Sequence, residues 1–559
     1  MKTINKVTNV KELRDEILSK HSPNQKEIVV AGGTCGFVSG AEDVIDALNS
    51  ELKSRGLDKE IKVKVTGCHG FCAIEPVIII NPENILYKEV SEKDIPEIIS
   101  ETILNGKIID RLLYIDESTG EKILHEEDIP FYKRQTHQLL EYNAKIDPLN
   151  IEDYIAVGGY TALEKALQMG SDNIIAEIKA SGLRGRGGAG FSTGAKWEMA
   201  KKAPSKEKFV VCNADEGNPG AFMDRNILEA NPHSVIEGMI IGGFTIGANI
   251  GYIYVRKEYP LAIEHIKIAL EQAYQYGFLG EDILGTGFSF DIEIVRGAGA
   301  FICGEETSLI KSIEGAIVEA QTKPPFPTLK GLWESSTVLN NVKTLASIPI
   351  IINKGSAWYS GFGTDASKGT MVFSIVGKIK NTGLIEVPMG TTLREIVYDI
   401  GGGVANGKKF KAVQIGGPSG GCFPESLLDI NVDYESMAKA GIAMGSSGMI
   451  VLDEDICMVE LARYFMAFNQ NESCGKCTPC REGIKHLLDI LTRITEGKGQ
   501  EDDIEILEKM GNLIIDLSLC GLGKSAPNPV LSTIKYFRDE YEEHIKNKRC
   551  PANVCKNLV

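Results

Sequence analysis

Three thiols crowd one short stretch, NESCGKCTPCREG: Cys474, Cys477 and Cys480, each two residues from the next. This C-x2-C-x2-C spacing brings three sulfurs within reach of one small inorganic core, as a thiolate-bound cubane requires. Zinc more often takes separated C-x2-C pairs, so a single run of three points to iron and sulfide; reactive thiols at a helix start are the plainer alternative. A [4Fe–4S] core needs a fourth ligand, and Cys520 in DLSLCGLGKSAPNP is the best candidate, with glycines beside it that permit close backbone approach. Between them, GIKHLLDILTRI and IEILEKMGNLIIDL have helical spacing, so a helix hairpin would return Cys520 to the triad.

A second chemical stretch is SGLRGRGGAGFSTGAKW, residues 181–197. Gly185, Gly187 and Gly190 satisfy G-x-G-x-x-G, but the dinucleotide fingerprint follows a strand. Here the preceding NIIAEIKAS has helical spacing at Ile174, Ile175 and Ile178, so this is not an ordinary Rossmann loop. It remains a run of N–H donors with Arg184, Arg186 and Lys196 close by, suited to phosphate and to backbone contact with a flat ring. A flexible linker would not need two arginines, a Phe and a Trp. Asp215–Glu216 in VCNADEGNPGAFMDR and Glu305–Glu306 in GAGAFICGEETSLIKSIEG sit in glycine turns, ahead of KPPFPTLKGLWESSTVLNNVKTLA. Singly such pairs are more often solvated loops; with the loop at 185 they suggest a nucleotide pocket with carboxylates for ribityl or ribose hydroxyls.

The tail EEHIKNKRCPANVCKNLV offers His544, Cys550 and Cys555, and Cys457 in DEDICMVELARYF is a further thiol. A Cys3His zinc site would pin the tail to the helices, against the alternative of unliganded surface thiols.

The elements that position these groups belong to a chain of 559 residues, too long for one core. Its formal charge of −16 argues against a nucleic-acid surface. The N-terminus lacks the apolar core of a signal peptide. Gly238 to Val255 is uncharged, but its glycines and IGYIYV ending suit a buried helix turning into a strand better than a membrane span. The reading is therefore cytoplasmic, where cysteine clusters indicate metal sites or catalysis before disulfides. Short β-runs around TLREIVYDI suggest a small β-grasp domain, with Cys422 a packed thiol.

Taken in order, LRGRGGAGFSTGAKW, NADEGNPGAFMDR, ICGEETSL, KPPFP, LNNVKTLA and ESCGKCTPCREG resemble the NADH-oxidising flavoprotein family. It includes the 51-kDa subunit of respiratory complex I and the β subunits of NAD-dependent, often electron-bifurcating, hydrogenases and formate dehydrogenases. The resemblance implies that Gly185, Arg186, Gly187, Gly188 and Lys196 wrap FMN, with Asn213, Asp215 and Glu216 on its ribityl and ring edge. It implies that Gly304 and Glu305 line the same cavity, with Asn340, Asn341 and Thr344 at the phosphate end. Phe191 and Phe326 would sandwich the adenine of NADH, and Glu306 and Lys323 would hold polar groups of the dinucleotide. It also places the [4Fe–4S] ligands at Cys474, Cys477, Cys480 and Cys520, and hydrogenase-type β subunits look similar at the zinc positions. Two departures, Phe301 where Tyr is common and Asn218 where an acid is frequent, are expected near the nicotinamide.

The first hundred residues resemble the thioredoxin-like [2Fe–2S] ferredoxins often fused to the hydrogenase β subunits, which normally supply four cysteines. Here Cys35, Cys68 and Cys72 are present, while Val29, Val30 and Ala31 fill the upstream region. Either a non-cysteine ligand completes the site, His69 being nearest, or the domain has lost its cluster and docks; the reading leans to loss or incomplete binding.

The expected architecture is multidomain α/β. A thioredoxin-like domain spans 1–105, a linker 106–150, a Rossmann-like FMN/NADH domain 151–346 and a β-grasp domain 347–435. A helical [4Fe–4S] bundle follows at 436–540, with a zinc-binding tail at 541–559. Expected partners are a small thioredoxin-like [2Fe–2S] subunit and a larger iron–sulfur or catalytic subunit; related chains often continue into a two-cluster ferredoxin, so that exit path is expected to be missing or to belong to another subunit. The expected function is the NADH dehydrogenase (diaphorase) subunit of a soluble oxidoreductase, and the alternative is a redox scaffold that binds flavin without turnover. The terminal acceptor and electron bifurcation are not legible in the residues.

Overall fold

The computed structural model describes residues 9–20, 26–442 and 444–558. At its centre lies a four-stranded parallel sheet in the order Ser336–Asn341, Lys208–Ala214, Ile250–Arg256, Asp291–Gly297. KFVVCNA and IGYIYVR are near-continuous apolar runs, as parallel strands covered on both faces must be. The chain progresses from Lys208–Ala214 outward in one direction and returns with Ser336–Asn341 on the other side. That reversal is a topological switch point, where open α/β sheets bind ligands beyond the strand carboxyl ends. Asn341 pairs with Asn213 in register at that end.

The uncharged stretch folds as the helix Pro232–Ile246 followed by the strand Ile250–Arg256. The helix is buried on nearly every side, as a core helix that is apolar all round should be. Its one acid, Glu237, accepts hydrogen bonds from Tyr154 OH (2.6 Å), Tyr160 N (2.9 Å) and Leu163 N (2.9 Å). Among the described residues no helix is long and apolar enough to cross a membrane.

The second sheet has five strands in the order Gly383–Pro388, Thr370–Gly377, Gly448–Asp453, Phe410–Ile415, Gly421–Pro424. Its middle strand, Gly448–Asp453, lies beyond the boundary expected at 435. It pairs parallel with Thr370–Gly377 and antiparallel with Phe410–Ile415, so the β-grasp domain extends to Asp453. Five helices follow: Met458–Asn471, Thr478–Thr495, Asp503–Leu517, the short Gly521–Ser525 and Asn528–Lys546.

The N-terminal sheet runs Lys62–Thr66, Glu27–Ala31, Ile78–Asn81, Ile85–Tyr87, with the helix Ala41–Ser54 burying Val44, Leu48 and Leu52 on it. The first helix, Val10–Lys20, lies outside this unit despite the expected 1–105 boundary. Val10 and Ile17 join the core of the central domain, and Arg14 Nε donates to Ala156 O (3.0 Å). The stretch expected as a linker, 106–150, is a packed strap. Phe131 stacks on Phe71 at 4.2 Å, and the buried Glu386 carboxylate accepts the N–H groups of Gln138, Leu139 and Leu140. The N-terminal unit is thereby held against both later domains: Gly67 lies so close to Ala230 that a Cβ on it would sit 2.1 Å from the alanine methyl.

Candidate functional site

The loop 181–192 follows the helix Ser171–Ala180 and leads into Thr193–Lys202, so the glycine run sits between helices. Two glycines there have a steric reason. Gly187 packs on Asn341, whose Cβ would lie 3.2 Å from an added Cβ, and Gly188 adopts φ 118° against Gly445. Arg186 is fully buried: its N–H donates to Thr344 Oγ1 (2.8 Å) and its Nη2 to Tyr359 OH (3.1 Å). Its Nε and Nη1 have no protein partner. Lys196 donates to Leu339 O (3.0 Å), lies 3.9 Å from Glu306, and has its pKa lowered by burial.

Asn213 bridges the sheet end to the segment Phe301–Gly304, its Nδ2 donating to Gly304 O (2.9 Å). Asp215 stands beside it with both carboxylate oxygens buried and unpartnered; Arg256 Nε is 4.0 Å away, and burial pushes the carboxyl up to about 7. A Cβ on Gly304 would enter the space 3.5 Å from Asp215 Oδ2. Orphaned donors on Arg186, orphaned acceptors on Asp215 and a side-chain-free lining at Gly304 fit a bound polar ring system with hydroxyls and phosphate, as FMN is.

Other assigned residues have their heads engaged within the protein. Glu216 spends its carboxylate on the N–H groups of Met223, Asp224 and Arg225, and so holds the start of the helix Met223–Ala230. Asn340 Oδ1 accepts from Trp197 Nε1 (2.9 Å), while Asn341 donates to Asp224, which also pairs with the buried Lys343 at 2.8 Å. The Asp224–Lys343 pair is not legible in the sequence: its partners are 119 residues apart, and no local pattern marks either.

Around the mouth, Phe191 and Phe326 are 47 % and 53 % exposed, unusually high for phenylalanine. Lys323 Nζ bridges Glu305 (2.9 Å) and Glu306 (2.6 Å). Glu305 also caps the helix Glu306–Ile313 through the N–H groups of Thr307 and Ser308. Burial alone would raise its carboxyl, but Lys323 and the Thr307 hydroxyl hold it below the usual range. The two departures lie together here: a Cβ on Gly217 would lie 2.9 Å from the Phe301 ring, and Asn218 bonds Ser446.

The helix hairpin returns Cys520 to the other three thiols. Cys477 and Cys520 each sit at a helix N-terminus, and Cys480 lies in the first turn of Thr478–Thr495. With Cys474 they line one pocket, shared with Ile302 and Ala320 of the central domain. Ser473 Oγ lies 3.3 Å from Cys480 Sγ, and burial pushes that thiol up to about 11. Four converging thiols with helix N-termini facing them suit a cluster carrying negative charge. Ile302 on the cluster cavity and Gly304 on the flavin cradle are two residues apart, at most about 7 Å of chain.

Cys457, His544, Cys550 and Cys555 bring their four ligand atoms within 4.8 Å of one another, all buried. Cys457 Sγ lies 3.4 Å from His544 Nε2 and 3.9 Å from Cys555 Sγ, and Cys555 Sγ lies 3.5 Å from His544 Nε2. Tetrahedral zinc with its usual bond lengths demands about 3.8 Å between sulfurs and about 3.5 Å from sulfur to nitrogen. His544 Nδ1 donates to Glu540 O (2.7 Å), which turns Nε2 towards the thiols.

In the N-terminal unit, the Cys72 thiol interacts with both Cys35 and Cys68. Arg225 Nη2 reaches Cys35 Sγ at 3.4 Å, and Glu229 accepts from Thr34 N (2.9 Å), so the site abuts the helix Met223–Ala230. His69, the fourth ligand suggested by sequence proximity, is turned elsewhere. Its Nε2 meets Thr66 Oγ1 (3.1 Å) and its Nδ1 meets Glu126 (2.7 Å), which leaves no ring nitrogen for iron.

Comparison with known proteins agrees with this layout. The Nuo51 FMN-binding domain model matches residues 178–350, and the NADH-ubiquinone oxidoreductase-F iron–sulfur binding region matches 460–544. The thioredoxin-like [2Fe–2S] ferredoxin model matches 14–102 and the SLBB domain matches 372–423. The chain is 56% identical over 414 residues to NADP-reducing hydrogenase subunit HndC of Solidesulfovibrio fructosivorans, covering 74% of this chain and 84% of that one. It is 46% identical over 402 residues to an NADH-quinone oxidoreductase subunit of Rhizobium meliloti, covering 72% and 96%. A crystal structure of NAD+-reducing [NiFe]-hydrogenase in the H2-reduced state aligns over 96% of this chain and 90% of that one, with a TM-score of 0.66 and 26% identity.

Proposed function

The chain belongs to the NADH-oxidising flavoprotein family of complex I and hydrogenase subunits, and from that premise we propose that it is the NADH dehydrogenase module of a soluble, cytoplasmic multisubunit oxidoreductase. The observation that carries this reading is the segment Phe301–Glu305, which lines the cluster cavity at Ile302 and meets Asp215 of the flavin cradle at Gly304.

FMN, when bound, accepts a hydride and releases electrons singly. The chain's residues bind and position. The Gly185–Gly188 loop and Arg186 face the flavin, Asn213 and Asp215 hold its hydroxyls, and Asn341 with Thr344 anchors the phosphate-side backbone. Glu216 supports this wall through the helix it caps. Phe191 and Phe326 offer ring faces to the adenine, while the Lys323–Glu305–Glu306 triad meets the dinucleotide's polar groups. No residue need act as acid or base in the hydride step.

Cys474, Cys477, Cys480 and Cys520 hold the [4Fe–4S] cluster, and Cys457, His544, Cys550 and Cys555 hold a zinc that ties the tail to the bundle. The partners are a small thioredoxin-like [2Fe–2S] subunit and a larger iron–sulfur or catalytic subunit. Anaerobic titration of the purified holoprotein with NADH and with NADPH tests the reading. Flavin bleaching by NADH at lower concentration than by NADPH supports it. Bound flavin that neither nucleotide bleaches would replace it with a redox scaffold.

A further inference from the structure

We propose that the N-terminal [2Fe–2S] site is completed by a carboxylate, with Cys35, Cys68, Cys72 and Glu75 as its ligands. The proposal rests on reading this domain as cluster-binding, and it names the group that takes the place of the missing thiol. Three sulfurs already form a connected set, because Cys72 interacts with both Cys35 and Cys68. The strand Glu27–Ala31, where a fourth thiol is expected, offers none: Val29 and Ala31 pack into one apolar core and Val30 into another.

Glu75 lies three residues after Cys72, just past the short turn Cys72–Ile74. It is 8 % exposed, and one of its oxygens is 3.8 Å from Cys68 Sγ. The other oxygen is buried and has no hydrogen-bond partner. That free oxygen faces the Cys35 side of the site: a Cβ on Gly36, the residue after Cys35, would stand 3.5 Å from it. The carboxylate accepts the Val77 N–H and faces the Cys68 thiol, but its second oxygen is buried with no partner, which is costly unless something positive belongs beside it. Ferric iron is such a partner, and a carboxylate supplies the same single negative charge as the absent thiolate. His69 would not, and its ring is held by Thr66 and Glu126. A hard oxygen donor favours the ferric state, so this cluster should be harder to reduce than an all-thiolate one.

The test uses the full chain, anaerobically reconstituted with iron and sulfide, as wild type, Glu75→Gln and Glu75→Cys. Iron, sulfide and flavin are counted, and EPR spectra are recorded after chemical reduction. The expected result is about six irons in wild type and about four in Glu75→Gln with flavin unchanged, since the two clusters hold four and two. Glu75→Cys should regain about six irons, with shifted g-values and reduction at a higher potential. Identical [2Fe–2S] signals in wild type and both variants would overturn the carboxylate ligand while leaving the cluster in place. About four irons in wild type, with no [2Fe–2S] signal, would overturn the cluster reading beneath it.

Discussion

Replacing Asp215 with Asn should stabilise the flavin-free protein and weaken its hold on flavin. The side chain is fully buried, neither oxygen has a hydrogen-bond partner, and the nearest cation is 4.0 Å away. Burial lifts its carboxyl from the ordinary 3.8 to about 7. Below pH 3.8 the group is protonated folded or unfolded and costs nothing. Between the two values the folded state holds a proton that the unfolded chain releases, so stability falls as pH rises, by about 4 kcal/mol in all. Asn removes that pH-dependent cost but leaves an unpartnered amide, which takes back about 1–3 kcal/mol. The net gain at pH 8 is about 1–3 kcal/mol, or about 3–9 °C in the melting temperature of a domain of this size. Melting of flavin-stripped protein at pH 5.5 and pH 8 gives the measurement. Glu216 and Glu237, also pushed up to about 7 by burial, lower the stability of both proteins alike, so the difference between them isolates Asp215. In the same variant, loss of a charge-assisted hydrogen bond should weaken FMN binding about tenfold or more. Parallel melting curves at both pH values, or unchanged FMN affinity, would refute the placement of Asp215 as a strained flavin contact.

Gly304→Ala should fold normally, because the added Cβ meets Asp215 O at 3.4 Å, an ordinary contact, yet it should lose flavin by filling the cradle; the flavin-to-protein absorbance ratio reads this. Cys520→Ala should lose about four irons and keep FMN, and unchanged iron content would remove Cys520 from the ligand set. Cys555→Ser should release zinc and leave iron unaltered, with faster proteolysis of the tail; zinc content equal to wild type would remove the tail site.

Where chemistry is written locally, the sequence discloses it. The C-x2-C-x2-C run and the helical spacing after it lead directly to the cavity shared with Cys520, and the broken fingerprint at Gly185 correctly denies a preceding strand. The residues proposed to hold zinc are legible as residue types, although only folding brings Cys457 to the tail, 87 residues from His544. What escapes is set by long-range pairing. The strand Gly448–Asp453 is a short apolar run next to helical sequence, and nothing nearby says that it enters the middle of a sheet. The strap at 106–150 owes its order to Glu386, some 250 residues away, whose carboxylate gathers three of its N–H groups. Proximity in sequence favours His69 as a ligand, yet its ring is claimed by Glu126, which no spacing rule could anticipate.

In the proposed function, NADH reduces the flavin and the electrons reach the cluster that Cys474, Cys477, Cys480 and Cys520 would hold. EPR of the anaerobic holoprotein after NADH addition, beside Cys520→Ala, tests it most directly. Flavin bleaching is expected in both proteins, and a reduced [4Fe–4S] signal in wild type alone. Bleaching without any cluster signal in wild type would contradict it.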